Sequence, residues 1–513
     1  MRLIVLCSVL IMVLPAGLTA QEPAPKLGRI YFPTSGSAAA QEHFIRGVLY
    51  LHSFEYARAR DAFLTAQELD RDFVMAYWGE AMTRNHPMWN RRYRGEARAA
   101  LAKLGTTAEE RAAKAPTERE RMYLQAVETL FAKGPKAERD TAYMYAMLDL
   151  THAYPEDVEA QIFYALSLLG LNQGVRDFPS YMRGAAVAEG VFRLNADHPG
   201  AAHYIIHSFD DPIHAPLGLH AAWAYSTIAP AAPHALHMTS HIFLAMGMWD
   251  QVVERNETAV DLTGRGPGHY TSWLNYGLLQ QGRFQDAVDR LIVAWASVPD
   301  DSRPVVRRYL AGMRAHYLID SERWDDQVLD WEIELEDAGP DSRAIDAFAR
   351  GYAALKLGRR ETAAHYVRRL VEIEANPAEE GSPNSLALPE ILRLELEGAL
   401  LLDGHQIESA LLAVRKATRL EDGLPLEFGP PDIIKPTHEF LGEMLLSLNR
   451  PTEAKREFQA ALELTPKRAR SLVGLSRAAE ASGDVVTAAR ALARLDLIWH
   501  RADEDVRQAM EQQ

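Results

Sequence analysis

Gly442-Glu-Met-Leu-Leu-Ser-Leu-Asn-Arg-Pro-Thr-Glu-Ala-Lys-Arg-Glu-Phe-Gln-Ala-Ala-Leu-Glu-Leu-Thr-Pro466 carries the pattern that decides the fold. Gly442 and Leu445 belong to one amphipathic stretch, and Ala454, Phe458 and Ala461 to a second, with Asn449, Arg450 and Pro451 turning the chain between them. Small residues such as Ala454 let two helices approach to about 8–10 Å, while the large ones fill the gaps between neighbouring pairs. The unit recurs. Ala488 repeats Ala454 after 34 residues; Gly282, Ala287, Leu291, Ala294 and Pro299 make another copy; Gly47, Tyr50, Ala59, Phe63 and Ala66 open the series; Gly351, Gly358 and Ala363 add one more. Sustained period-2 alternation is almost absent, so the chain reads as all-α.

A helical pair repeating at about 34 residues resembles the tetratricopeptide repeat. The resemblance implies a tetratricopeptide-like α-α superhelix, a right-handed solenoid of helical hairpins. Three tracts are expected after a leader: helical repeats over 21–180, histidine-rich repeats over 181–262 and further repeats over 263–513. The periodicity predicts helices over 117–131 and 142–152 in the first tract, where the register is poor. Pattern breaks at 264–268, 376–389 and 422–436 read as long loops, and the charged stretches 91–98 and 119–121 as solvated helix faces.

Composition bounds the function. Of 513 residues, 48% are hydrophobic and 24% charged, which suits a globular chain with a sizeable core. The net charge of -15 argues against a broad nucleic-acid footprint. Residues 1–20 read as a secretory signal peptide, with Arg2 in a short positive region, an apolar run from Leu3 to Leu14 and small residues up to Ala20. The protein is therefore expected to be exported, periplasmic or extracellular, without a membrane span. The only cysteine, Cys7, lies in that leader, so the mature chain holds neither disulfides nor cysteine metal ligands.

Histidine is concentrated in one place. Eight of the 18 lie between His198 and His241. His203-Tyr-Ile-Ile-His207 and His237-Met-Thr-Ser-His241 are i, i+4 pairs, each on one helix face. His203 to His237 is 34 residues, and so is His207 to His241, which puts the two pairs at the same place in consecutive repeats. Registered on Gly247, His234, His237 and His241 fall on the first helix of one hairpin, and His203, His207, Asp210 and Asp211 on that of the preceding one. By resemblance to tetratricopeptide domains these positions line the concave groove, and His269 follows on the same face of the next repeat.

Imidazoles at that spacing predict a site for a divalent transition metal such as zinc, copper or iron. The primary ligand set is His203, His207, His237, His241 and His234, with four imidazoles converging. Further candidates are His214, Asp210, Asp211, His269, His86 and His52. For a catalytic metal, Asp210 or Asp211 would serve as base and Tyr204 as hydrogen-bond donor. The zinc-protease HExxH pattern is absent, since Tyr204 and Met238 follow the first histidine of each pair. The alternative is a set of histidines that merely pack inside a hairpin. Tyr77, Trp78 and Trp89 read as core, and His220 as packing.

These residues resemble a group of exported bacterial tetratricopeptide proteins, through His198-Pro-Gly-Ala-Ala-His-Tyr-Ile-Ile-His207, His234-Ala-Leu-His-Met-Thr-Ser-His-Ile-Phe243, Trp78-Gly-Glu80 and His86-Pro-Met-Trp89. That group brings a fold and a groove but no settled activity. Two expectations follow: an exported solenoid that binds a transition metal, with metal-assisted chemistry on a small molecule; or a metal-free scaffold whose groove binds a peptide or partner protein.

Overall fold

The computed structural model describes residues 25–172, 175–299, 302–378 and 382–511; the leader and Cys7 lie outside them. The described residues form 25 α-helices and one two-stranded ladder, Asn85–His86 against Arg91–Arg92. Neighbouring helices pair as hairpins and the hairpins stack. The predicted period is met in the middle of the chain, where Pro199–Phe209 and Ala215–Ile228 are followed by Pro233–Ala245 and Trp249–Thr263, each 34 residues later.

Local chemistry explains the hairpins. In seven of the hairpins the chain passes, after the first helix, through a capping residue and then one residue in the left-handed region. Glycine fills that position at Gly247, Gly282, Gly358 and Gly483, with φ between 61° and 77°, because a missing Cβ removes the steric cost. Phe54, His405 and Asn449 occupy it elsewhere. The interlocking is periodic too. Phe63 sits where Cβ atoms on Gly47 and Gly79 would stand 2.6 and 2.3 Å from its ring, and Phe458 lies in the same way between Gly442 and Gly474.

The stack does not stay open. Near the N-terminus, Arg29 N–H donates to the Asp197 carbonyl at 2.9 Å, and Gly200 lies against the His52 ring. From the other end, Trp249 Nε1 donates to the Lys467 carbonyl at 3.0 Å and Trp499 Nε1 to the Gln280 carbonyl at 3.1 Å. A buried Arg468 ties these parts together through Asp320, Glu439 and the Tyr276 hydroxyl. With both ends folded against the central hairpins, every residue of Pro199–Phe209 and of Pro233–Ala245 is buried.

Three local expectations are corrected. The tract 376–389 is not loop throughout, because Ser382 caps a helix that starts at Pro383 and continues through Pro389 to Asp403. Arg91 and Arg92 are not on a helix, and the Arg92 side chain is buried beside Asp140 at 3.2 Å rather than solvated. Arg119 is likewise partly buried, donating to Asp157 Oδ2 at 2.6 Å. The helices expected at 117–131 and 142–152 are present as Glu118–Leu130 and Lys136–Ala153.

Candidate metal centre

Pro199 and Pro233 stand at the first turns of their helices, where a missing N–H costs nothing. Starting the helices at equivalent points places His203 and His207 beside His234, His237 and His241, and His269 follows at the start of His269–Gln280. The expected four-imidazole cluster resolves into two triads. His203, His207 and His234 form one, and His237, His241 and His269 the other; within each, the ligand atoms lie within 4.8 Å of one another. The triads adjoin, with ring centroids 5.7 Å apart for His207 and His241 and 6.0 Å for His234 and His237.

The outward nitrogens are committed. His203 Nδ1 donates to the His52 carbonyl at 2.6 Å, and His237 Nδ1 to Asn256 Oδ1 at 2.7 Å, the Asn256 amide being oriented by its own bond to the Val252 carbonyl. His207 and His241 both donate Nδ1–H to Asp210 Oδ2. A ring that donates from Nδ1 while neutral carries a lone pair at Nε2. The Nε2 atoms of His203, His207 and His234 are buried without a hydrogen-bond partner. Those of His237 and His241 face each other at 3.1 Å. Two lone pairs so placed repel unless a shared proton or a cation lies between them, and two imidazoles on one zinc at about 2.0–2.1 Å have nitrogens roughly this far apart.

Electrostatics favour the neutral form of five of the rings, His203, His234, His237, His241 and His269. Burial, then the neighbouring imidazoles, holds His203, His234 and His237 well below the usual histidine range. Burial, His241 and Arg308 push His269 down to about 3. Burial alone would raise the Asp210 carboxyl, but Arg176 and the bonds from His207 and His241 hold it ionised, well below the usual carboxylate range. Neutral imidazoles oriented by a carboxylate are the form that transition metals bind.

The other candidates are placed differently. Asp210 bridges the two triads, and with His207 and His241 it forms a further group whose ligand atoms lie within 4.8 Å of one another, as expected of a metal-ligand candidate. Asp211 accepts the backbone N–H of Ile213 and His214 and pairs with Arg176 and His214, so His214 is held away from the triads. Tyr204 points to His52 Nδ1 at 3.0 Å. None of the expected catalytic residues Asp210, Asp211 and Tyr204 therefore aims a free polar atom at the cluster, since folding uses each to orient another group. His52 belongs to a separate trio with Glu159 and His198, in which Glu159 accepts from both rings, Tyr204 donates to His52 Nδ1 and Ala201 N–H to His198 Nδ1. Every nitrogen there is satisfied. His86 stacks on Tyr56 at 3.7 Å and bonds the Thr83 carbonyl, outside both triads.

The histidines do not line an open groove. Trp273 and Phe428 stack on the His241 ring, with centroids 4.4 and 5.0 Å away, and Phe54 packs on His203 at 4.3 Å. Phe428 comes from the 422–436 loop, which the sequence places in a different hairpin. Phe54 had a sequence signal, a bulky residue where other hairpins carry glycine; Arg176, Asn256 and Phe428 had none.

The tetratricopeptide-repeat family profile matches residues 437–468, the hairpin Thr437–Ser447 and Pro451–Leu464. No curated protein sequence matches the chain. Solved structures similar to it include human IFIT1 in a dimer with m7Gppp-AAAA, at 14% identity over 90% of this chain and 90% of that one with a TM-score of 0.36. Yeast Tom70 is 14% identical over 86% of this chain and 96% of its own, with a TM-score of 0.38. The matched repeat, with hairpins of the same design stacked on either side of it, gives the chain a tetratricopeptide-like fold of stacked helical hairpins.

Proposed function

We propose that the chain binds divalent transition-metal ions in its buried histidine cluster, one at His203, His207 and His234 and one at His237, His241 and His269. The observation that carries this reading is the shared direction of the lone pairs: four rings spend Nδ1–H on acceptors outside the cluster, and the Nε2 atoms turn inward. An all-imidazole donor set suits zinc, copper or iron and disfavours magnesium and calcium. Three protein ligands per ion leave a position open for water or another small donor. The leader-like residues 1–20 support placing the protein outside the cytoplasm.

Peptide docking by the central repeats is the weaker reading, because Phe428 and Gly429 of the chain itself occupy the face of His207, His241 and Trp273. Metal analysis of untagged mature protein tests the proposal. About two equivalents of a transition metal are expected after incubation and desalting, falling by one in His203→Ala and in His237→Ala. Protein that retains no transition metal overturns it.

A further inference from the structure

A cavity of about 310 Å³ adjoins the second triad and has His269 in its wall. Trp273, Tyr309, Phe428 and Pro431 give it an apolar, largely aromatic body. Several of its polar groups are buried without a hydrogen-bond partner. Asn275, 1% exposed, gives its Nδ2 to the Ala287 carbonyl, and its Oδ1 is without a partner. The Ser342 Oγ and the His316 Nδ1 are also buried and unpartnered. Burial and Arg468 push His316 down to about 3, so that ring is neutral.

Two carboxylates, Asp341 and Asp432, share the wall with a single guanidinium, Arg308, which is exposed. Asp432 is exposed, as Arg308 is, and Asp341 is partly buried. The wall therefore has an excess of negative charge and of lone pairs. Buried acceptors left without donors destabilise the empty cavity, and a ligand rich in N–H groups removes that cost.

We propose that this cavity binds a small molecule with an ammonium group on an apolar or aromatic body, and brings it to the His269 side of the cluster. The ammonium supplies three donors and one positive charge to Asp341, Asp432 and Asn275. The aromatic walls take the body and favour the cation through their ring faces. The cavity's size falls at the small end of ligand pockets. The second half of the proposal, delivery to the cluster, rests on reading His237, His241 and His269 as metal ligands; the charge preference does not.

The two parts are separable in one experiment. The full mature chain is prepared stripped by chelator and loaded with Co(II), and cobalt uptake is measured first, which scores the metal reading alone. Both forms are then titrated calorimetrically with benzylamine and with phenylacetate, a pair of matched size and opposite charge. Benzylamine is expected to bind one to one in both forms and phenylacetate at least about tenfold more weakly, the scale of one charge-assisted hydrogen bond. Asp432→Asn and Asp341→Asn should each weaken benzylamine about tenfold while cobalt uptake and the circular-dichroism spectrum stay as in the parent. In the loaded form, benzylamine should shift the cobalt visible bands. Equal binding of the two probes, no benzylamine binding in either form, or indifference to both substitutions overturns the pocket; cobalt bands unmoved at saturating benzylamine overturn delivery to the cluster.

Discussion

His207 and His241, on successive hairpins, share one acceptor: the Nδ1 of each donates to Oδ2 of Asp210, at 3.3 and 2.9 Å. One carboxylate thus sets the tautomer and aim of a ring in each triad, and Arg176 holds that carboxylate in turn. Asp210→Asn keeps the shape but removes the charge. Metal affinity should fall about 10–100-fold at both triads, measured by competition with a chromogenic chelator. Weakening confined to one triad would show that the two are held independently.

Acid should destabilise the metal-free protein. The buried imidazoles have folded-state pKa values lowered from the usual histidine value, His269 to about 3. Below about pH 6.5 the unfolded chain binds protons that the folded chain refuses, so stability is complete above that pH and is lost as pH falls. Each ring that stays neutral contributes a slope of about 1.4 kcal/mol per pH unit in that window. Thermal melts from pH 7.5 down to pH 5 should show the midpoint dropping, and bound metal should leave over the same range. A flat midpoint would mean that the rings titrate alike in the folded and unfolded chains.

Phe54 holds φ at 52°, where four other hairpins use glycine, and its ring packs on His203 and His207. Left-handed backbone at a bulky residue costs on the order of 1 kcal/mol, whereas deleting a buried phenyl costs about 3–5 kcal/mol. Phe54→Gly should therefore lower stability by about 2–4 kcal/mol on chemical denaturation, despite the relieved backbone. A gain in stability would mean that the ring contributes little to holding the first triad.

Gly200 faces the His52 ring so closely that an added Cβ would stand 2.5 Å from Nδ1. Helix propensity alone favours alanine by about 1 kcal/mol. The clash should reverse that sign, and Gly200→Ala should lose about 1–3 kcal/mol as Tyr204, Glu159 and the His52 carbonyl under His203 shift together. Unfolding with guanidinium measures it.

Phe428 covers His241 but is 38% exposed, so its ring adds little to global stability. Phe428→Ala should leave the melting midpoint within a few degrees of the parent, while a chelator strips the metal markedly faster. Stopped-flow release kinetics would show the change; an unaltered rate would mean that the ions leave by another path.

Much of this was readable along the chain. The 34-residue step between His203 and His237 needs only the hairpin period to become proximity, because equivalent helices of adjacent repeats lie side by side. Gly247 supplied the register, and its left-handed φ of 61° agrees with the turn position assumed for it. His269 was visible as a neighbour but not as a full third member of a triad. Its contribution depends on how far one hairpin rotates against the next, a quantity that no local pattern encodes. The same limit applies to His52, a further candidate along the chain that Glu159 and Tyr204 satisfy instead.

Sequence alone determined the helical hairpin, its period and the alignment of two histidine pairs, because each follows from short-range spacing and from which small residues permit close packing. Tertiary structure alone decided that the imidazoles divide into two triads, that Asp210 and Asn256 orient them, and that Phe428 covers them. Those outcomes come from contacts between segments far apart in the chain, made when both ends of the stack close on its centre. It is this closure that removes water from the rings and keeps them neutral, with lone pairs directed inward.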